Sequence, residues 1–160
     1  QGLAEHREYW HDIIGYNYRM TNIAAAIGLA QLEQVDKFID RKIEISEIYK
    51  EELIGLPVKV HQSVGNVKHT YWMVSIFCNN LDDRERLRNY LKEKDIETRP
   101  TFYPVHTMPM YDKAYQSLPV AEKLGWSGMN LPSYPRLKDE EVKYVCDSIK
   151  EYFERGRMHD

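Results

Sequence analysis

Two stretches of this 160-residue chain gather residue types that bind charged or polar ligands. The first is Gly15-Tyr16-Asn17-Tyr18-Arg19-Met20-Thr21-Asn22-Ile23, continuing through Ala25-Ala26-Ile27-Gly28 to Gln31-Leu32. It sets an amide, Asn17, and a guanidinium, Arg19, just ahead of Thr21, a residue type that caps helix amino termini. A guanidinium is a planar fork suited to phosphate, and a helix start offers free N–H groups and the positive end of a dipole. The second stretch is Arg99-Pro100-Thr101-Phe102-Tyr103-Pro104-Val105-His106, followed by Pro109 and Tyr111. Its prolines stiffen a loop that presents Arg99, Tyr103 and His106 together, and rigid presentation lowers the entropy lost on binding a polar ligand. Residue types alone leave an alternative open for each stretch: an ordinary surface loop for the first, a structural loop with an exposed histidine for the second.

Other constellations carry less. His6 with His11, and His61 with His69, lack metal-site spacing, so no metal is expected. There is no G-x-S-x-G, P-loop or G-x-G-x-x-G. Cys78 and Cys146 fall among apolar residues as inert core thiols, and two thiols fit a reducing, cytoplasmic setting better than a disulfide scaffold. The charge run from Asp82 to Glu93 reads as a solvated helix face. Net charge is −3, without the basic footprint of a nucleic-acid binder. The longest apolar run, Ile23 to Ala30, is far short of the roughly 20 residues that span a bilayer, so no membrane partner is expected. Twelve tyrosines and three tryptophans fit core and rim packing first and a ligand pocket second.

The elements that must position these residues follow from periodicity. A long helix is predicted from Thr21 to Gly55, with Pro57 beyond it. From Ile23 to Ala30 small and apolar residues surround the helix, a pattern of burial on every side. From Val35 onward the apolar residues narrow to one stripe through Phe38, Ile39, Ile45, Ile48, Tyr49 and Leu53. Val58–Val60 and Ile96–Thr98 are candidate strands. Thr70 to Cys78 is apolar on both faces and predicts a central strand. Asp82 or Asp83 caps a helix carrying Leu87, Tyr90 and Leu91; a short helix follows at Val120 to Leu124, and an extended piece at Asn130-Leu131-Pro132. Asp139 caps a last helix with Val142, Val145, Ile149 and Phe153 at helical spacing. The order predicts a small α/β sandwich with helices on one face of a mainly antiparallel sheet. The aromatic-rich residues 1–20 show no period and are expected to pack on something outside this chain.

Taken together, the run from Gly15 through Arg19-Met20 to Gln31-Leu32 and the run from Arg99-Pro100 to Pro104-Val105-His106 resemble the DegT/DnrJ/EryC1/StrS family of sugar aminotransferases. The resemblance covers Tyr9 to about Phe153, and Tyr9-Trp10-His11-Asp12 is most similar to perosamine-forming members, which aminate GDP-4-keto-6-deoxymannose with glutamate as donor. It implies the carboxy-terminal part of a type I pyridoxal-phosphate-dependent transferase. Residues 1–20 would belong to the large cofactor domain, 21–55 to a long connecting helix, and 56–160 to the small domain. It further implies a homodimer in which Asn17 and Arg19 hold the cofactor phosphate across the interface. Tyr103, His106 and Arg99 would lie near the sugar nucleotide. The lysine that holds the cofactor lies upstream in such enzymes, so no residue here is expected to be catalytic and this chain alone is expected to be inactive. Two alternatives stay open: a same-family dehydratase, distinguished by that upstream residue, and a non-catalytic binding or dimerisation module.

Overall fold

The computed structural model describes residues 5–6, 11–111 and 116–157, so Tyr9 and Trp10 lie outside the described residues. The chain divides into two compact units, residues 1–36 and 37–160. In the first, Thr21 Oγ1 accepts the Ala24 N–H at 3.2 Å and starts helix α1, Asn22–Leu32. No residue of α1 is buried; Ile23 is 76% exposed.

The single helix expected over 21–55 is instead two. Helix α2, Val35–Glu52, begins after a break at Glu33-Gln34. The Gln34 amide nitrogen turns back to the Gln31 carbonyl (3.1 Å) and its side chain donates to the Ala30 carbonyl (3.3 Å). A side chain on the last carbonyls of a helix interrupts the backbone ladder there. The compact second unit starts at Lys37 rather than 56, because the apolar stripe of α2 belongs to its core: Ile45, Tyr49 and the following Leu53 are buried.

That core is backed by one antiparallel sheet of order β1-β2-β4-β3, with β1 Lys59–Val60, β2 Val74–Phe77, β3 Arg99–Pro100 and β4 Gly128–Leu131. Val74 pairs with Leu131 and Ile76 with Met129, and all four are buried against the helices. The alternate residues Ser75 and Asn130 pair on the other face, where the serine hydroxyl donates to the asparagine at 2.6 Å. Helix α3, Leu81–Glu93, supplies Leu87 and Leu91 to the core. Helix α5, Asp139–Arg157, supplies Val142, Val145, Cys146 and Ile149. Each such aliphatic side chain contributes about 1.5–3 kcal/mol by leaving water. Helix α4, Pro119–Ser127, runs directly into β4.

Several boundaries differ from expectation for local reasons. The central strand loses residues 70–73 because Tyr71 takes φ 45°, off the extended path. Strand pairing opposite β4 falls at Arg99–Pro100, not Ile96–Thr98. Asn80, not an aspartate, caps α3, accepting the Asp83 N–H at 2.9 Å.

Candidate functional site

In the first unit the Asn17 side-chain oxygen accepts the Arg19 N–H at 3.2 Å, a local turn of the kind asparagine makes with backbone two residues on. This turn delivers Arg19 two residues ahead of the Thr21 cap, and both Asn17 and Arg19 are exposed. A guanidinium two residues ahead of a capped helix start is of the kind that can bind an anion.

In the second unit the loop after β3 is seated on the end of α4. The Thr101 hydroxyl lies 2.9, 3.2 and 3.1 Å from the carbonyl oxygens of Leu124, Gly125 and Gly128. The fit leaves no room for side chains. A Cβ on Gly125 would stand 2.6 Å from Pro104 Cδ, and one on Gly128 would stand 2.6 Å from Thr101 Cγ2. Pro104 is buried in this seat, and Tyr103 packs against Trp126 with ring centroids 5.0 Å apart. His106 Nε2 stands 3.1 Å from Glu122 Oε1, and the same oxygen accepts the Leu118 N–H at 2.8 Å, tying the loop to the start of α4. Tyr103 and His106 are therefore carried on one rigid support.

Arg99 is placed differently. It is exposed, bonds Glu97 at 3.2 and 3.3 Å, and lines a cavity of about 870 Å³ with Lys42, Trp72, Ile96 and Tyr134, a cavity that Tyr103 and His106 do not line. The structure thus brings Tyr103 and His106 to one support and sets Arg99 on another surface.

Lys42 is a lysine at a cavity wall, and burial pushes its ammonium below the ordinary lysine value. Its nitrogen donates to the carbonyls of Trp72 (2.7 Å) and Ser133 (2.6 Å) and lies 3.4 Å from Ser133 Oγ. An ammonium with three donors so engaged ties α2 to the two chain segments and is not a ready nucleophile. The cysteines are buried, with thiols pushed up by burial to about 11 for Cys78 and about 12 for Cys146. Each of His61 and His69 uses Nδ1 to accept a backbone N–H, from Ser75 at 3.0 Å and Tyr71 at 2.9 Å. Among the described residues no cluster of three or more metal-ligating side chains occurs.

One residue escaped the sequence reasoning. The charge run of α3 is solvated except at Arg84, whose side chain is 1% exposed. Its Nε and Nη2 bond Glu85 at 2.9 and 2.7 Å, Nη1 reaches the Gly125 carbonyl at 3.3 Å, and Nη2 lies 3.5 Å from the Tyr103 hydroxyl. Burial works to raise the Glu85 carboxyl, but hydrogen bonds from Arg84 and Arg88 outweigh it and hold it below the usual range. The signal was present: Arg84 stands three residues before Leu87 and seven before Leu91, on the apolar stripe.

The chain belongs to the DegT/DnrJ/EryC1/StrS aminotransferase family, whose pattern matches residues 1–150. It is 63% identical over 153 residues to the GDP-perosamine synthase of Escherichia coli O157:H7, covering 96% of this chain and 42% of that relative. It is 47% identical over 157 residues to the GDP-perosamine synthase of Vibrio cholerae, covering 96% and 43%. Among solved structures, S. venezuelae DesV superposes with TM-score 0.83 at 25% identity, covering 92% of this chain and 40% of that one. Helicobacter pylori PseC, an aminotransferase of pseudoaminic acid biosynthesis, shares the fold with TM-score 0.85 at 19% identity, covering 96% and 43%. The chain spans about two fifths of the length of the curated relatives it matches, in their carboxy-terminal part.

Proposed function

We propose that the whole protein is a pyridoxal-phosphate-dependent aminotransferase that moves an amino group from glutamate to a keto sugar carried on a nucleotide, with GDP-4-keto-6-deoxymannose as acceptor and GDP-perosamine as product. The observation that carries this is the 63% identity to a GDP-perosamine synthase along nearly the whole chain.

The residues present fit the phosphate end of the cofactor: a guanidinium, a neighbouring amide and a helix start. When bound, pyridoxal phosphate supplies an electron sink that lets an amino group pass between donor and acceptor. Arg19 would hold its phosphate by a charge-assisted bond, and the Asn17 turn would aim Arg19. Tyr103, His106 and Arg99 would contact the sugar nucleotide, with Tyr103 and His106 held in place by α4 and Arg99 reaching from its own face. The acting form would be a homodimer in which the Asn17–Arg19 turn serves the partner's cofactor. The apolar all-round surface of α1 supports this, since it needs a burying partner. The cytoplasm suits the buried free thiols, and no described helix is long and apolar enough to cross a membrane.

Cofactor retention in the complete enzyme tests the site. Arg19→Ala removes an interaction worth about 1.5–3 kcal/mol, so affinity falls roughly 10- to 100-fold. Asn17→Ala removes about 1 kcal/mol, roughly fivefold. Arg19→Lys recovers part, keeping charge without the fork. Mixing Arg19→Ala chains with chains lacking the upstream lysine restores some sites if the contact crosses the dimer. Equal affinity in Arg19→Ala and wild type would refute the contact, and no recovery on mixing would refute its placement in trans.

A further inference from the structure

We propose that Arg84 is a positioning residue for the sugar-nucleotide side of the reaction, acting through the seat of Tyr103 without touching substrate; this rests on the reading that Tyr103 and His106 face the acceptor. Burying a guanidinium is costly, and an apolar residue on the same stripe would serve the core as well. What an apolar residue cannot do is join three segments. From α3, the Arg84 fork reaches the Gly125 carbonyl at the end of α4 (3.3 Å) and the Tyr103 hydroxyl (3.5 Å), with Tyr103's ring centroid 5.7 Å from the guanidinium carbon. Glu85 compensates the charge through bonds of 2.9 and 2.7 Å and fixes the fork's rotation.

The Gly125 carbonyl is also one of the three oxygens around the Thr101 hydroxyl, and Pro104 fills the space where a Gly125 side chain would stand. Arg84 therefore pins the surface on which the Thr101–Pro104 segment rests. It also meets the one hydroxyl of that segment proposed to face the ligand. At 1% exposure it has no surface to offer a substrate. Its influence must pass through Tyr103 and the end of α4. A shift of the seat displaces Tyr103 while the turn at Asn17 and Arg19, in the other unit, keeps its own hydrogen bond. The consequence is selective: acceptor binding suffers, while cofactor binding and the glutamate half of the reaction do not.

The test uses the complete holoenzyme and separates the halves. Glutamate alone drives the first half, followed by the cofactor's spectral change. GDP-4-keto-6-deoxymannose drives the second. Arg84→Lys should raise KM for the keto sugar about tenfold, leave the glutamate half and cofactor affinity within twofold, and do less harm than Arg84→Met. Tyr103→Phe should raise the same KM, and the double variant should be no worse than the worse single one. If Tyr103→Phe raises KM and Arg84→Lys does not, the positioning role is overturned while the proposed site stands. If neither Tyr103→Phe nor His106→Gln moves KM, the proposed site falls and the role of Arg84 falls with it. Should Arg84→Lys fail to fold, Glu85→Gln loosens the fork with Arg84 in place. A two- to threefold rise confined to the keto-sugar KM supports the role, and an equal loss in both halves overturns it.

Discussion

Gly125→Ala isolates the packing of the loop seat from its chemistry. The added Cβ would lie 2.6 Å from Pro104 Cδ, 2.9 Å from Pro104 Cγ and 3.1 Å from the Phe102 carbonyl oxygen. Carbon atoms in contact prefer about 3.5–4.0 Å, so the proline ring must retreat by roughly 1 Å. Pro104 is buried and cannot swing into solvent. Overpacking of this kind costs about 1–3 kcal/mol. Against it, alanine in a helix gains about 0.5–1 kcal/mol over glycine. The net expectation is a loss of about 1–2 kcal/mol, or roughly 2–8 °C in Tm for a domain of this size. Gly156 in α5 is the control: a Cβ there meets nothing within 4 Å, so Gly156→Ala should hold or raise Tm. Pro104→Ala deletes the two ring carbons that the new Cβ meets. It costs stability alone, yet combined with Gly125→Ala it should recover about 1–2 kcal/mol relative to additivity. Thermal and urea unfolding of the four proteins measure the cycle. A Gly125→Ala protein as stable as Gly156→Ala, or a cycle with no coupling, would show that the loop is not seated as described.

Two further outcomes are expected. Burial depresses the His61 imidazole, helped by His69 and by Lys50, which donates to the Tyr71 hydroxyl and to Glu47, while the Ser75 backbone pulls the other way. The unfolded chain then binds the extra proton as pH falls below about 6.5, so this contribution to stability is complete above that value and declines below it. Urea midpoints from pH 7.5 to 5 should show the decline, and His61→Asn, which retains an acceptor for the Ser75 N–H, should flatten it; an unchanged slope refutes the assignment. Pyridoxal phosphate and borohydride should label exposed lysines such as Lys92 ahead of Lys42, whose ammonium is held by Trp72 and Ser133; preferential capture at Lys42, found by peptide mapping, would overturn its structural role.

Where a segment's neighbours lie within the chain and its period is unbroken, the sequence was a sufficient guide. Val142, Val145 and Ile149 are spaced for one helix face and are buried on it, and Val74 and Ile76 alternate into the core as their strand pattern requires. Failures came where a single backbone or side-chain event overrides a period. Gln34 breaks a helix whose composition favours continuation on both sides, and Tyr71 leaves the extended path within a run of strand formers. Arg84 was misjudged because charge was read before position. In the loop from Arg99 to His106, adjacency in sequence did not reveal the local supports: Arg99 lines a cavity that Tyr103 and His106 do not, while the Thr101 hydroxyl seats the following residues on the end of α4.

Helix α1 is a different case: its composition calls for burial, and none of its residues is buried. From Ile23 to Ala30 its residues are small or apolar on every side, between the polar Asn22 and Gln31 near its ends. An apolar patch including Ile23, Ile27 and Leu29, each more than half exposed, is of the kind that marks an interface. Helical propensity does not account for it: eleven residues are marginal as an isolated helix in water even when alanine-rich. The helix therefore depends on tertiary burial, and a surface apolar all round requires that burial on more than one side. The Arg19 turn and the capped helix start sit at the end of this element, so what covers α1 would also fix the proposed anion site in space. In the proposed dimer one set of contacts does both, and loss of the α1 surface should weaken cofactor binding without any change at Arg19 itself.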